Sequence, residues 1–231
     1  MPDKQIFCYT FAGGTAAFFD GMERELPEYA WEKFEYAGHG ARHREPFYRS
    51  FDELADDAFS ALKAARNGGE YALFGYSMGS ISLVEVLRRI IAEGVDLPGH
   101  VFLAAHEPHT KAELTGYNAA ELDEWVKART IRFGAVSEKL LNNRTFWRTY
   151  LPLYRADYGL ISGYRFEALR LSTDVPATVF YSQTDTPIGG RRQWRRYFTG
   201  PCDFHCFEGN HFFIRDHQGR MAEIIKDRMD G

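Results

Sequence analysis

Tyr71-Ala72-Leu73-Phe74-Gly75-Tyr76-Ser77-Met78-Gly79 is the stretch on which the fold turns. A short apolar run ends in Gly-x-Ser-x-Gly, and Ile81, Val84, Leu87 and Ile91 follow at helical spacing. A strand that bends sharply into a helix brings backbone against backbone, and Gly75 and Gly79 remove the Cβ atoms that would clash. Ser77 then sits at the tip of the turn with its hydroxyl exposed. The first N–H groups of the helix have no partner inside it and point to the same place. The competing reading is a glycine-rich strand-to-helix turn with no chemistry.

Outward from this turn, short apolar runs alternate with longer segments of helical period, which predicts a mostly parallel sheet with helices on both faces. The expected strands are Lys4–Thr10, Trp31–Tyr36, Tyr71–Gly75, His100–Ala105, Ala177–Ser182 and Asp203–Phe207. Ser50 caps a helix carrying Phe51, Leu54, Ala55, Ala58 and Leu62, and a last helix covers about Asp216–Met229. Residues 116–164 break the alternation. They hold two helical pieces, near Glu121–Thr130 and Arg144–Asp157, and no strand. The stretch reads either as a lengthened crossover or as a lid over the sheet's carboxyl edge. No repeat or linker divides the chain, so residues 1–231 are expected to form one domain.

Composition narrows the function. The chain has 231 residues, 45% of them apolar and 26% charged, with 28 Lys+Arg against 32 Asp+Glu and a net charge of −4. A chain of this size buries enough surface to fold without metal or disulfide. The acidic balance argues against nucleic acid as a partner. Three cysteines are too few for a disulfide framework. No signal peptide or membrane span is read from the apolar runs, so a cytoplasmic monomer is expected.

A serine needs a base, and the base needs an orienting acid. In this strand-turn-helix context the chain order is Ser, acid, His. Of eight histidines, His211 follows the last strand on a loop at the carboxyl edge, with Phe212 and Phe213 to pack beneath it. His205 lies inside that strand, His217 opens the final helix, and His39, His43, His100, His106 and His109 precede the acid. Asp185 ends the preceding strand. Asp174 lies at the opposite edge, and Asp157 in the helical insertion is the rival acid.

Cys202, His205, Cys206 and His211 have no familiar zinc spacing, and ligands flanking a strand are expected to diverge, so no metal is expected. Gly13-Gly14 lacks the flanking pattern of a phosphate loop. Arg191, Arg192, Arg195 and Arg196 form a basic run that is either a solvated face or a patch for an acidic partner. Lys127, Arg129 and Arg132 form a second such set.

Taken in order, several segments resemble the type II thioesterases, the discrete editing enzymes of polyketide and nonribosomal peptide synthesis, which have the α/β-hydrolase fold. Phe7–Gly14 is similar to that family's first strand and its Ala-Gly-Gly loop. Ala37-Gly38-His39-Gly40-Ala41-Arg42 with Glu45-Pro46 is similar to its Pro-Gly-Arg-Gly-x-Arg…Glu-Pro segment. Gly75–Gly79 matches its serine turn, Leu151–Asp157 is similar to its Leu-Pro-x-Leu-Arg-Ala-Asp stretch, and Asn210–Phe213 matches its Gly-His-Phe-Phe. Departures are Thr10-Phe11, Ala37, His39, Asn210 and Tyr76. The resemblance implies hydrolysis of acyl groups from the phosphopantetheine arm of an acyl or peptidyl carrier protein, met transiently. It implies Ser77 as nucleophile, His211 as base, Asp185 orienting it, and the N–H groups of Ala12 and Met78 as oxyanion hole. It implies no cofactor beyond the phosphopantetheine that the substrate carries. A hydrolase of free esters or of acyl-coenzyme A would share these residues, and a non-catalytic binding module would share the fold.

Overall fold

Strand periodicity decides which side chain faces which layer. The computed structural model describes residues 3–109, 117–136, 138–185 and 190–231. Among these, β1 (Gln5–Tyr9), β2 (Ala30–Lys33), β3 (Tyr71–Tyr76), β4 (His100–Ala104), β5 (Ala177–Ser182) and β6 (Cys202–Phe207) form one sheet in the order β2-β1-β3-β4-β5-β6. Every pairing is parallel. All residues of β1, β3 and β4 are buried, as a sheet covered on both faces requires. Alternate residues part company. Phe7, Tyr9, Leu73, Val101, Leu103 and Val179 pack under α2 (Phe51–Ala65) and α3 (Met78–Glu93). Ile6, Cys8, Ala72, Phe74, Phe102 and Phe180 pack under α1 (Asp20–Glu25) and the C-terminal helix, residues Gln218–Asp230. Ser50 caps α2, its hydroxyl accepting from Glu53 N–H at 3.1 Å.

The strand order reverses between β1 and β3, since the chain leaves β1 to one side for β2 and returns on the other. Crevices at the carboxyl ends of strands form at such switch points. The loop after β1 and the turn after β3 both open there.

Several element boundaries differ from the sequence reading, most by a single residue. The second strand ends at Lys33 and not Tyr36: Phe34 N–H still reaches Cys8 C=O at 3.0 Å, and the chain then leaves the sheet. His100–Ala104 stops one residue early because Ala105 adopts φ 53°. The six-residue α1 was not foreseen. Between β4 and β5 lie α4 (Ala119–Arg132) and α5 (Arg144–Gly163); residues 110–116 and 137 of that stretch lie outside the described residues. The first starts at an Asn118–Glu121 capping box, and the second runs through Pro152 and past Asp157. With these, the C-terminal helix is α6. No helix among the described residues is long and apolar enough to cross a membrane.

Candidate active site

Ser77 stands alone between β3 and α3 with φ 55° and ψ −115°. A non-glycine residue in such a region costs on the order of 1–3 kcal/mol and persists only where the surroundings dictate it. Here they do. A Cβ on Gly79 would lie 1.9 Å from Tyr9 O, and one on Gly75 would lie 2.4 Å from Gly79 O. Ser77 N–H donates to Ala104 O at 2.8 Å and Ser80 N–H to Ser77 O at 2.9 Å. The turn is therefore held by the neighbouring strand as well as by its own backbone.

His211 lies on the loop after β6, 6% exposed. Its Nδ1 is 2.6 Å from Asp185 Oδ1, and its Nε2 is 2.9 Å from Ser77 Oγ. The partners assign the tautomer. A carboxylate only accepts, so Nδ1 carries the hydrogen and Nε2 is left to accept from the Ser77 hydroxyl. The Asp185 side chain is fully buried. Ser182 and Thr184 hydroxyls both donate to Gly209 O, which ties the acid's loop to the base's loop. Tyr76 Oη donates to His211 O at 2.6 Å, and the Phe133 ring lies 4.5 Å from the imidazole. Tyr76 and Phe133 escaped the sequence reading. Tyr76 was noted only as a departure from a motif.

The two backbone donors expected to serve the oxyanion belong to Met78 and Ala12. Met78 N–H opens α3 and has no partner one turn back. In the loop after β1, Gly14 N–H donates to Phe11 O at 2.9 Å and Gly13 N–H to Asp157 Oδ2 at 2.7 Å. Among the described residues neither Met78 N–H nor Ala12 N–H has an acceptor, although both residues are buried. Unpaired N–H groups in buried residues are uncommon.

Ser77, His211 and Asp185 line a narrow cavity of about 150 Å³, walled by Ile81, Ala105, Trp125, Phe133, Tyr158 and Ile161 among others. A more open cleft of about 430 Å³ between α2, α3 and the end of α5 shares Tyr164 with it but reaches none of the three residues.

The remaining candidates lie elsewhere. Asp157, the rival acid, faces His39 and Gly13 and makes no contact with His211. His205 is on β6 against Phe180, and His217 bonds Glu208 O at 2.9 Å. His100 is buried under Thr178 Oγ1 at 2.9 Å, and burial lowers its pKa to about 4. Cys202 and Cys206 lie within β6 rather than flanking it. Four residues apart, they share a face about 13 Å apart and do not diverge, and His205 is on the other face. Among the described residues no group of three His, Cys, Asp or Glu is placed to hold a metal. The guanidinium groups of Arg191 and Arg195 lie over the Tyr181 and Phe204 rings, and Arg192, Arg195 and Arg196 are exposed. In the second basic set, Lys127 pairs with Glu124 at 2.7 Å and Arg129 lies over Trp125, Phe133 and Tyr158.

A family model for the thioesterase domain matches residues 4–229. The thioesterase PikA5 of Streptomyces venezuelae is 25% identical over 227 residues, which cover 97% of this chain and 80% of that protein. The medium-chain S-acyl fatty acid synthase thioesterase of Rattus norvegicus is 28% identical over 218 residues, 91% of this chain and 81% of that one. The solved structure of the type II thioesterase BorB from the borrelidin biosynthetic cluster superposes with a TM-score of 0.83 at 26% identity, over 98% and 92% of the two chains. The chain therefore belongs to the thioesterase family, as a hydrolase of thioester bonds on the α/β-hydrolase fold that resembles the type II enzymes over nearly its whole length.

Proposed function

We propose that the chain removes acyl groups from the phosphopantetheine arm of an acyl or peptidyl carrier protein, with Ser77 as nucleophile, His211 as base and acid, and Asp185 orienting it. The observation that carries this is the run of short hydrogen bonds from Asp185 through His211 to Ser77, at the start of α3. Ser77 Oγ attacks the thioester carbonyl as its proton passes to His211 Nε2. The carbonyl electron pair moves onto oxygen, which the Met78 and Ala12 N–H groups receive. Asp185 stabilises the imidazolium. The C–S bond then breaks, and the sulfur leaves with the proton from Nε2. A thiol is a far more acidic leaving group than an alcohol, so little assistance is needed. Water repeats the sequence on the acyl-enzyme, returning the proton to Ser77 and releasing a carboxylic acid. The fatty acid synthase and the borrelidin biosynthetic cluster named for two of the relatives support the choice of carrier-bound substrates. In this reading α4 and α5 are a lid that admits the arm, residues 1–231 act as one domain and one copy, and the chemistry needs no cofactor of its own.

The test compares kcat/KM for one acyl group on carrier protein, on coenzyme A and on a simple ester. Carrier protein is expected to be preferred by tenfold or more. Equal values for carrier protein and coenzyme A would overturn the choice of partner while leaving the chemistry intact. Absence of covalent labelling of Ser77 by a fluorophosphonate would overturn the chemistry.

A further inference from the structure

The Asp157 carboxylate, the rival to Asp185 by sequence, has a place in the structure that points to a different job. Its Oδ2 accepts Gly13 N–H at 2.7 Å and faces His39 Nε2 at 2.9 Å. The other ring nitrogen of His39, Nδ1, lies 3.0 Å from Ala37 O. A carbonyl oxygen and a carboxylate oxygen both accept, so both ring nitrogens must donate, and only the imidazolium does that. The two side chains are 1% and 4% exposed, which makes this a buried ion pair. Asp157 belongs to α5, and that helix sits directly on the loop. Gly13 has φ +81°, and a Cβ there would lie 2.0 Å from the Tyr154 ring. On the loop's other side Ala16 N–H donates to Glu35 Oε1 at 3.0 Å. Gly13 and Ala16 are thus each anchored by a carboxylate from another part of the chain, Gly14 by Phe11 O, and Ala12 N–H remains for a ligand.

We infer that Asp157 is a positioning residue, which holds the Ala12 N–H in place through Gly13, and that the protonated His39 holds Asp157, so that turnover falls as His39 loses its proton. The inference rests on the proposed roles of Ser77 and Ala12. Its chemistry is local. With a neutral imidazole, one of the contacts to Ala37 O and Asp157 loses its hydrogen, and the buried carboxylate loses its counter-charge. Such a carboxylate then draws in water or shifts, and Gly13 moves with it.

The groups that face His39 set the direction. Burial by itself lowers its pKa. The hydrogen bond and charge of Asp157 on α5, the Ala37 carbonyl and the charge of Glu35 outweigh this and raise it above 6.5. The rings of Tyr36 and Phe47 complete the enclosure at 5.7 and 6.3 Å. Burial raises the Tyr36 phenol far above its usual range, and burial beside Asp57 raises that of Tyr48, so both stay neutral. The Arg42 guanidinium is engaged by Glu45 and Asp57. A raised histidine pKa gives support that is complete below the unfolded value near 6.5 and lost as pH rises through the folded value. The result is a falling alkaline limb in kcat.

The experiment measures kcat and KM from pH 6 to 10 on an acyl thioester of N-acetylcysteamine, a pantetheine mimic, with Tm alongside. Asp157→Ala is expected to lower kcat by about 10- to 100-fold with KM within about threefold, since an oxyanion donor acts mainly in the transition state. Should Asp157→Ala fail to fold, Asp157→Asn keeps an acceptor for Gly13 but no charge, and its kcat is expected to be reduced and to lose the alkaline limb. His39→Arg keeps two donors and a permanent charge, and is expected to move the limb up by at least one pH unit relative to its own plateau. A folded Asp157→Ala enzyme with kcat within threefold of wild type would overturn the inference. So would an alkaline limb unmoved in His39→Arg. Ser77→Ala separates the two levels. If it is dead while Asp157→Ala is unaffected, only the positioning role falls; if it stays active, the reading of the site falls first.

Discussion

Ser77 is strained at φ 55° so that its hydroxyl clears the turn and meets His211, and the close approach of Gly79 to Tyr9 makes that strain stable. Residues wired in series fail as a unit. Ser77→Ala is expected to cut kcat by about 10⁶-fold and abolish fluorophosphonate labelling, with little change in Tm. His211→Ala should cost nearly as much, and adding it to Ser77→Ala almost nothing more. Asp185→Asn should cost less, because the imidazole remains but loses its tautomer. A larger loss in Asp157→Asn than in Asp185→Asn would show that the acid is misassigned. Ser77, Asp185 and His211 were legible in the sequence because each follows the carboxyl end of a strand at the same sheet edge, and local pattern tells where strands close. The bond from Asp157 to His39 spans 118 positions, and that from Tyr76 to His211 spans 135. Neither partner has a local signature, so only the folded chain joins them.

At the scale of elements, the six strands were legible from short apolar runs, and α2 from its cap and spacing. What was missed has identifiable causes. Asp20-Gly21-Met22-Glu23-Arg24-Glu25 is too short for helical period to stand out, and Phe34 and Tyr36 look like strand residues although they pack beyond the sheet's end. Past Asp157, the continuation Tyr158, Leu160 and Ile161 belongs to α5, whose inner side walls the cavity beside Ser77. That cavity, about 150 Å³, is small beside the roughly 300–1,000 Å³ of pockets for drug-sized ligands. The expected consequence is selectivity by chain length. kcat/KM should be highest for acetyl and propionyl thioesters and fall at least tenfold by octanoyl. Ile161→Ala, which opens the α5 wall, should move the optimum toward longer chains. A flat profile in wild type would mean that α4 and α5 do not bound the acyl group.

Across the whole molecule, charge acts through a few buried or clustered groups more than through the net −4. His100 is held neutral under Thr178, its pKa lowered to about 4 by burial. The unfolded chain binds that proton near pH 6.5 and the folded one does not, so stability is complete above 6.5 and lost as pH falls toward 4. The loss amounts to about 3 kcal/mol, and urea unfolding of wild type and His100→Asn at pH 7 and 4.5 would reveal it as a smaller drop in the variant. The same logic governs the encounter with a carrier. In the proposed reading the carrier brings an acidic surface, and a chain at −4 repels it except where cations cluster. Arg192, Arg195 and Arg196 are exposed on the turn that follows the acid's loop; Arg195, like the half-buried Arg191, lies over an aromatic ring, so Arg192 and Arg196 are the pair chosen for reversal. Reversing both to Glu should raise KM for an acyl-carrier substrate by about tenfold at low salt. Near 0.5 M salt, where screening falls to a few ångström, most of that difference should vanish. Turnover of the N-acetylcysteamine thioester, which has no protein to dock, should not change. Equal losses on both substrates would mean that the turn supports the fold or Asp185. No loss on either would leave Arg192 and Arg196 as solvated charges and move the docking face elsewhere.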